Sequence, residues 1–431
     1  MNLRQTAVDL FLKGVEAVRP ENLIPSKLSL ENNQLTVENK TYTIPENIYV
    51  FGSGKASIEM AKAVESLLGN RIKDGLIVCN YTEKLKKLKV VKGNHPVPDR
   101  DSIKAGELLI NGLSALNEDD FFIYLLSGGS SALIEKPIPP ITLEDLKKTT
   151  QLLLSHSVPI EDINIIRKHI SQIKGGRLGQ KTKARGVVLV ISDVIGDDLF
   201  TIGSAPLYYD RSTYRDAFDV LKKYDLIDKI PDSVRQVIIK GLNGEIEETP
   251  KKENPRISHH IIGRNMDALK EIKNASPFPA YILTSRLHGE AREVAKAILS
   301  IGMEIKNTSN PFSPPAVLLF GGETTVNVKG NGRGGRNQEL VLSALIDLKD
   351  TPGIVILSGG TDGIDGNSDA AGAVADSQTY RKAIEKGIDL NAYLENNDSY
   401  TFFTEVGGVI KTGYTGTNVM DLTIIIIGGK E

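Results

Sequence analysis

Short apolar runs alternate with longer amphipathic stretches along most of this chain. Each run has the composition of a buried strand and leads into a loop rich in Gly, Ser, Thr or Asp, after which a helical spacing of apolar residues begins. The clearest runs are residues 48–51, 121–126, 187–191, 281–283, 317–320 and 354–357. Repeated strand–loop–helix units predict an α/β protein with mostly parallel sheets. In such sheets ligands bind at the carboxyl ends of the strands, where these loops gather.

The chain is too long for one typical hydrophobic core, so its 431 residues predict two domains. The charged stretch at residues 241–256 has little apolar content and contains Gly241, Gly244, Pro250 and Pro255, which predicts a domain boundary with a linker at residues 246–256. We therefore expect a larger N-terminal domain at residues 1–245 and a smaller C-terminal domain at 257–431, with the active site in the cleft between them. The last apolar run, residues 422–427, is a strand that fits the sheet of either domain.

Composition describes an ordinary soluble globular protein, with 40% hydrophobic and 25% charged residues. The net charge of −2 provides no strong field to attract nucleic acid. The single cysteine, Cys79, excludes an internal disulfide and fits a reducing cytoplasm. Residues 1–19 have helical spacing but lack the apolar core of a signal peptide. We therefore expect a cytoplasmic protein without nucleic-acid or membrane partners.

The most informative candidate for ligand binding is the stretch GNGRGGRNQE at residues 330–339, which precedes a helical pattern. Glycine lets backbone N–H groups approach an anion closely, and arginine offers a planar pair of donors to phosphate or carboxylate oxygens. The candidate ligands are Gly332, Arg333, Gly334, Gly335 and Arg336. The stretch is also compatible with a surface turn that carries two solvated arginines.

A second candidate is GSGKAS at residues 52–57, which lies between a strand and a helix. Gly54 and the following N–H groups suit an anion, and Lys55 adds a positive charge that reaches a terminal phosphate. The spacing is not that of a Walker A loop. It is also a poor dinucleotide fingerprint, because Ser57 replaces the third glycine and residues 78–80 lack the ribose-binding acid. The alternative is an exposed lysine at a helix start.

The loop SGGSS at residues 127–131 is a third strand-to-helix connection and also suits phosphate binding through its backbone. Its candidate ligands are Ser127, Gly128, Gly129 and Ser130. The same loop resembles a nucleophile elbow, in which Ser130 attacks while His169 and Asp193 serve as base and orienting group. Both interpretations stay open at this point.

Acidic residues follow two further strands. Asp193 lies near Asp197 and Asp198, and Asp362 lies near Asp365 and Asp369; carboxylates at loop tips suit Mg²⁺ or general-base catalysis. Each aspartate alone also suits a turn.

The stretch NHPVPD at residues 94–99 forms a stiff turn with two prolines. Such a turn holds Asn94 and His95 in position to hydrogen-bond a polyol or carboxylate. Packing of the loop by its prolines is the alternative.

Taken in order, these stretches resemble the glycerate 2-kinases of the MOFRL family, also called class II glycerate kinases. The resemblance covers almost the whole chain. The matching motifs are GSGKAS at 52–57, GNHPVPD at 93–99, LLSGGSSAL at 125–133, IRKHISQIKGGRL at 166–178, SDVIGDD at 192–198, FGGETTV at 320–326, GNGRGGRNQE at 330–339, SGGTDGIDGNSDAAGA at 358–373 and GYTGTNVMDL at 413–422.

The resemblance implies a larger Rossmann-like N-terminal domain and a smaller α/β C-terminal domain. It implies transfer of the γ-phosphoryl group of ATP to the 2-hydroxyl of D-glycerate, giving 2-phosphoglycerate and ADP, with Mg²⁺ or a similar divalent ion. Relatives often carry the older label hydroxypyruvate reductase, which the poor dinucleotide fingerprint argues against. The oligomeric state stays open, a homodimer included.

Our hypothesis assigns Lys55 and Arg336 to the transferring phosphoryl group, with Arg333 assisting or binding carboxylate. Asp193 is the candidate general base or Mg²⁺ ligand, and Asp362 is the other acidic contributor. The residues assigned to orienting glycerate are Asn94, His95 and Asn337. The rival hypotheses are a hydroxypyruvate reductase, a serine hydrolase that uses Ser130, and a metabolite-binding protein without catalysis.

Overall fold

The structure, a computed structural model, describes residues 2–429 and divides into two compact units. The larger unit spans residues 23–262, and the smaller unit combines residues 2–22 with 263–429. Each unit has a mixed α/β organisation with a six-stranded sheet among its described residues. Over the described part of the chain, no helix is both long enough and apolar enough to cross a membrane.

The helices are α1 Leu3–Ala17, α2 Pro20–Lys27, α3 Ser57–Leu68, α4 Arg100–Ser114, α5 Ser130–Leu133, α6 Leu143–Ser155, α7 Ile160–His169, α8 Tyr214–Lys223, α9 Asp232–Leu242, α10 Asn265–Ala275, α11 Ala291–Thr308, α12 Arg336–Leu348, α13 Ser377–Glu385, α14 Leu390–Glu395 and α15 Ser399–Val406. Short 3₁₀ helices cover Gly69–Arg71, Gly179–Lys181 and Ile202–Ser204.

The strands are β1 Leu28–Glu31, β2 Gln34–Val37, β3 Lys40–Thr43, β4 Ile48–Ser53, β5 Ile72–Cys79, β6 Lys89–Lys92, β7 Phe121–Leu126, β8 Arg185–Ile191, β9 Ile257–Gly263, β10 Ala280–Leu287, β11 Ala316–Gly322, β12 Ile354–Gly360, β13 Gly372–Asp376, β14 Val409–Ile410 and β15 Asp421–Ile427.

The sheet of the larger unit has the strand order β6-β5-β4-β7-β8-β9, and its neighbouring pairs from β6 to β8 are parallel. Counted along the chain, this is the order 3-2-1-4-5-6 of a doubly wound Rossmann fold, which confirms the predicted Rossmann-like architecture. The central strands are continuous apolar runs because helices cover both faces of such a sheet; every residue of β7 is buried. Strands β1 to β3 form a separate small antiparallel sheet.

The strand order of this sheet reverses between β4 and β7. Ligands of doubly wound sheets bind outside the carboxyl ends of the strands at such a switch point. The loop after β4 contains Gly54 and Lys55, and the loop after β7 is residues 127–129. The fold therefore places two of the predicted anion-binding loops next to each other.

The sheet of the smaller unit has the order β10-β11-β15-β12-β13-β14. Only β10 and β11 are parallel among its described pairs, and the other pairs are antiparallel. The prediction of mostly parallel sheets is therefore wrong for this unit. The reason is that β15, from the end of the chain, inserts between β11 and β12 and runs opposite to both. The structure thereby places the last apolar run, residues 422–427, in the sheet of the smaller unit.

The first helix also belongs to the smaller unit rather than to the predicted domain 1–245. Its buried face, which includes Phe11 and Gly14, packs on the sheet. A Cβ atom placed on Gly359 of β12 would lie 2.7 Å from Phe11 Cζ, and one placed on Gly14 would lie 3.2 Å from Leu422 Cδ1 of β15. The division of the structure also falls at residue 262, whereas the predicted linker at 246–256 lies within the larger unit.

Candidate functional site

In the larger unit, three predicted site residues lie around the glycines of the β7 loop. A Cβ atom placed on Gly129 would lie 3.1 Å from Lys55 Cγ and 3.1 Å from His95 Cδ2. A Cβ atom placed on Gly128 would lie 1.7 Å from Asp193 Oδ2, which shows that the carboxylate rests directly on the glycine backbone. The absence of side chains at Gly128 and Gly129 therefore allows a cation, an imidazole and a carboxylate to gather at the switch point.

The backbone around Lys55 is tied to the β7 loop by internal hydrogen bonds. The N–H of Lys55 donates to Gly128 O at 2.8 Å, and the N–H of Ala56 donates to Ser127 Oγ at 3.0 Å. The N–H of Gly54 donates to Val78 O at 3.2 Å. Ser127 thus caps the start of α3, so the predicted anion site at residues 54–57 has most of its backbone donors already engaged.

The loop at residues 127–131 differs in its hydrogen bonding. Gly129, with φ of 81°, is the N-cap residue of α5, and no side chain caps this helix. Within residues 2–429, the N–H groups of Gly128, Gly129 and Ser130 donate to no other backbone carbonyl or side chain. These N–H groups are therefore available to an anionic ligand, and this loop is the better of the predicted phosphate-binding loops.

Ser130 is buried, and its hydroxyl oxygen lies 2.6 Å from Ser53 Oγ. The predicted base, His169, has both ring nitrogens engaged elsewhere: Nδ1 lies 2.8 Å from Ile165 O and Nε2 lies 3.0 Å from Glu248 Oε1. A nucleophilic serine needs a base within hydrogen-bonding distance. The structure therefore does not favour the serine hydrolase hypothesis.

His95 is half-buried beside Lys55, and burial together with the charge of Lys55 lowers its pKa to about 4. The imidazole is consequently neutral at physiological pH, when one ring nitrogen donates and the other accepts a hydrogen bond. The neighbouring Asn94 donates through Nδ2 to Val97 O at 2.9 Å, within its own turn. His95 contacts the glycine loop, and the amide donor of Asn94 stabilises the turn that holds His95.

In the smaller unit, Arg336 lies at the start of α12 between two carboxylates. Its Nε and Nη2 donate to the two oxygens of Asp421, at 2.5 and 2.9 Å, and its Nη1 lies 2.9 Å from Glu323 Oε1. Burial lowers the pKa of Arg336, but the charges of Asp421 and Glu323 more than offset burial and raise it overall. The guanidinium is thus permanently charged and held in one orientation.

Asp365 occupies the N-terminus of α12. Its carboxylate accepts from the N–H groups of Asn337 and Gln338 at 3.1 and 2.9 Å. Burial raises the pKa of Asp365 to about 6, although these hydrogen bonds oppose the change. Asn337 is itself buried, donating to Asp365 and accepting from Ser358 Oγ at 2.6 Å. The amide of Asn337 is therefore engaged within the protein, and its contact with glycerate stays a prediction.

The glycine-rich loop at residues 330–335 is packed against internal acceptors. The N–H groups of Gly332 and Gly334 donate to Asn396 O at 2.9 Å and Asn367 Oδ1 at 2.8 Å, and that of Arg333 donates to Asp398 Oδ1 at 2.8 Å. A Cβ atom placed on Gly335 would lie 2.3 Å from an oxygen of Asp365. The prediction that Gly332 and Gly334 cradle phosphate is therefore not supported, because close packing accounts for these glycines.

The acidic residues after β12 have separate roles. Asp365 caps α12, and Asp369 forms an exposed ion pair with Lys411 at 2.8 Å. A Cβ atom placed on Gly360 would lie 3.1 Å from Asp362 Oδ1 and 3.4 Å from Asp421 Oδ1, so these two carboxylates face the same glycine. Within residues 2–429, no three His, Cys, Asp or Glu side chains are grouped to hold a metal ion.

A cavity of about 490 Å³ adjoins Arg336 within the smaller unit. This volume is in the range of small-molecule pockets. Its lining includes Glu323, Thr324, Val326, Gly332, Gly334, Gly335, Arg336 and Asn367. Arg333 is exposed at the edge of this loop, and its guanidinium carbon lies 4.5 Å from the centre of the Tyr400 ring.

The predicted site residues thus form two groups. Lys55, His95, Asp193 and residues 127–130 gather in the larger unit, and Arg336 and Asp362 lie in the smaller unit. Sequence reasoning missed Asp421, which holds Arg336. The only local signal was its position immediately before the last apolar run, and its role depends on the pairing of β15 with two distant strands.

Known proteins resemble this chain over its whole length. Residues 6–239 match a family model described as a domain of unknown function, DUF4147, and residues 316–421 match the MOFRL family. A glycerate 2-kinase from Pyrococcus horikoshii is 41% identical, with 100% of this chain and 99% of that protein covered. A D-glycerate 2-kinase from Thermotoga maritima is 40% identical, with 99% of each covered.

A crystal structure of a glycerate kinase from Thermotoga maritima superposes with a TM-score of 0.87 at 39% identity, covering 99% of both chains. Family models, curated relatives and a solved structure all extend over both units. This chain therefore belongs to the MOFRL family of glycerate kinases.

Proposed function

We propose that this protein transfers the γ-phosphoryl group of ATP to the 2-hydroxyl of D-glycerate, releasing 2-phosphoglycerate and ADP. The observation that carries the proposal is the group at the switch point, where Lys55, Asp193 and the open N–H groups of residues 128–130 lie together. Relatives that match the whole chain at about 40% identity bear the names of this activity. The geometry of the site and the family of the chain therefore both support phosphoryl transfer.

Phosphoryl transfer asks a protein mainly for alignment and for positive charge around the moving group. The N–H groups of Gly128, Gly129 and Ser130 supply donors to phosphate oxygens, in the manner of a backbone anion site. Lys55 supplies a positive charge next to Gly129. The combination offsets the charge of phosphate oxygens without any covalent contribution from the protein.

Asp193 and His95 are the residues proposed to act on the acceptor. The Asp193 carboxylate would accept the proton of the glycerate hydroxyl, the role that a general base plays in such transfers. His95 is neutral at physiological pH, so it can hydrogen-bond the acceptor without adding a second positive charge next to Lys55. Both side chains contact the glycine pair of the β7 loop, which fixes their distance from any ligand on that loop.

The donor chemistry of Asp193 fits Mg²⁺, which binds hard oxygen ligands and in kinases is held by one or two carboxylates together with phosphate oxygens and water. We propose Asp193, with Asp362 as the second acidic residue, as the protein ligands. When bound, the ion would neutralise part of the phosphate charge. The identity of the divalent ion belongs to this proposal.

Arg336 is the proposed contribution of the smaller unit. Its guanidinium is fixed by Asp421 and Glu323 and lines the 490 Å³ cavity. A fixed guanidinium is suited to charge that develops on a transferring phosphoryl group, because no reorganisation is needed at the moment of reaction. We therefore keep the hypothesis that Arg336, like Lys55, acts on the transferring phosphoryl group.

A reductase remains the main alternative, since the larger unit has the strand order of a dinucleotide-binding domain. The local geometry argues against it. Ser57 replaces the third glycine of the fingerprint, and its hydroxyl donates to Gly54 O and Val78 O at 2.7 and 2.8 Å. Strand β5 ends at Cys79 and is followed by Asn80, without the acid that binds the ribose.

The deciding experiment measures ADP release with D-glycerate, ATP and Mg²⁺, with each component omitted in turn. The phosphorylated product is then separated into its 2- and 3-phospho isomers. We expect ADP release that requires all components and yields the 2-phospho isomer. Oxidation of NADH or NADPH in the presence of hydroxypyruvate, without ADP release from ATP and D-glycerate, would favour the reductase.

We also propose a cytoplasmic location, because the single cysteine, Cys79, is buried and free.

A further inference from the structure

A buried charge cluster lies beside the site of the larger unit. Lys174 and Glu135 are 1% and 2% exposed and form an ion pair. The Glu135 carboxylate also accepts from Ser171 Oγ at 2.5 Å and from the N–H of Lys136 at 2.9 Å. Whichever of the two side chains holds the proton, the Glu135–Lys174 pair is neutral overall, so it neither attracts nor repels a charged ligand strongly.

Arg167 adds an uncompensated positive charge to this cluster. It is half-buried on α7, and within residues 2–429 its side chain forms no hydrogen bond and no ion pair shorter than 4.0 Å. It lines a cavity of about 30 Å³ with Lys174, Ser131 and Pro96. The guanidinium offers a planar pair of donors, which suits bidentate binding of a carboxylate, and the Glu135 carboxylate that also lines the cavity favours its charged form.

Ser131 provides a second donor to the same cavity. Ser204 donates to Ser131 Oγ at 3.0 Å, so the hydroxyl proton of Ser131 remains available to a ligand. Ser204 lies in a left-handed turn: the φ angles of residues 203, 204 and 205 are 58°, 59° and 55°, which non-glycine residues rarely adopt. Such backbone is kept where surrounding structure enforces it, commonly next to ligands.

The cavity has a size and position that select its ligand. A volume of about 30 Å³ accommodates one or two water molecules or a group of similar size, and it is too small for a nucleotide. Pro96 and Ser131, which line it, adjoin His95 and Ser130 of the phosphoryl-transfer site in the sequence. The cavity therefore borders two loops that carry predicted site residues.

We infer that Arg167 and Ser131 bind the carboxylate of the hydroxy-acid substrate. This inference rests on the proposed function and adds the residues that select an acid over an uncharged alcohol. The bound carboxylate would neutralise the excess charge of Arg167. The Glu135–Lys174 pair would hold the walls of the cavity without competing for the carboxylate.

The test is steady-state kinetics of Arg167→Met and Arg167→Lys, with exposed Arg100→Met of the same unit as the matched control. We expect Arg167→Met to raise the KM for D-glycerate on the order of 10- to 100-fold, with the KM for ATP and kcat within about threefold, because the contact is made equally in ground and transition states. Arg167→Lys should lie between wild type and Arg167→Met, and Arg100→Met should match wild type.

A second measurement separates charge recognition from general damage. The methyl ester of D-glycerate lacks the carboxylate charge, so Arg167→Met should use it as well as wild type does. Thermal melting with D-glycerate alone should show stabilisation of the wild type and little for Arg167→Met. An unchanged KM for D-glycerate, or an increase confined to the KM for ATP, overturns the inference. If wild type releases no ADP with D-glycerate, the proposed function fails instead, and the melting experiment still tests the carboxylate subsite.

Discussion

Gly128→Ala isolates the role of the carboxylate at the switch point. The added Cβ would lie 1.7 Å from Asp193 Oδ2 and 2.3 Å from its Cγ, and the φ of Gly128 is not positive. The carboxylate must retreat by more than about 1 Å to reach an ordinary contact distance. Because the clash involves the end of a mobile side chain, folding stability should change by less than about 1 kcal/mol.

The effect on catalysis should be much larger. Displacement of a catalytic group by about 1 Å costs on the order of 100-fold in rate, which corresponds to roughly 2.7 kcal/mol of transition-state stabilisation. We expect Gly128→Ala to lower kcat by that factor or more in the ADP-release assay. Gly429→Ala is the control, since its Cβ would meet nothing closer than Pro315 Cδ at 3.9 Å.

A double-mutant cycle shows whether the loss acts through Asp193. If Gly128→Ala acts by moving that carboxylate, the variant that combines Gly128→Ala with Asp193→Ala should be no slower than Asp193→Ala alone. Additive losses would mean that the methyl group blocks the ligand itself. A Gly128→Ala protein with wild-type kcat and KM would refute the assignment of Asp193 to the reacting hydroxyl.

Three further predictions follow from the charged groups. Lys55→Met should lower kcat by about 10²- to 10⁴-fold in a protein that still folds. Arg336→Met should lower kcat similarly and destabilise the fold by about 3 kcal/mol, because its buried partner loses its counter-charge. Wild-type turnover in both variants would remove the assignment. Burial raises the pKa of folded Asp365 to about 6, so its contribution to stability is complete below the unfolded pKa near 4 and is lost as the pH rises through 6. In urea unfolding, wild type should therefore lose about 3 kcal/mol of stability relative to Asp365→Asn over this pH interval. Parallel pH profiles of the two proteins would contradict this prediction. Glu135→Ala should cost about 3–5 kcal/mol in the same unfolding assay by leaving Lys174 buried without its partner, and a loss below 1 kcal/mol would contradict the buried pair.

Local patterns were sufficient to predict the larger unit. Its parallel strands are continuous apolar runs, and the connections that follow β4 and β7 are glycine-rich, so both the architecture and the loops of the switch point could be inferred from short segments. The position of Lys55 beside Gly129 follows from the strand order, which the alternation of elements favours but does not specify.

Long-range pairing explains what sequence reasoning missed. The glycines at 332 and 334 have the composition of an anion-binding loop, but the backbone carbonyl of Asn396 and the side-chain oxygen of Asn367 accept their N–H groups from a distant part of the chain. No local pattern distinguishes a glycine that approaches a ligand from one that approaches another segment of protein. The packing of α1 in the smaller unit was missed for the same reason, because an amphipathic helix face does not specify which sheet it packs against.

The antiparallel strand β15 explains why an acidic side chain, Asp421, lies at the edge of the smaller unit's sheet where β11 and β12 end. In a parallel sheet, only the loops that follow the strands would lie at this edge. Strands β11 and β12 end at Gly322 and Gly360, and the antiparallel β15 begins beside both, with Asp421 paired to each glycine. A residue at the start of an antiparallel strand lies at the same edge as the ends of its neighbours. Because neither glycine has a side chain, the Asp421 carboxylate reaches Arg336 unobstructed. The insertion of the last strand thus places a fixed arginine at the loop edge of a sheet that is otherwise largely antiparallel.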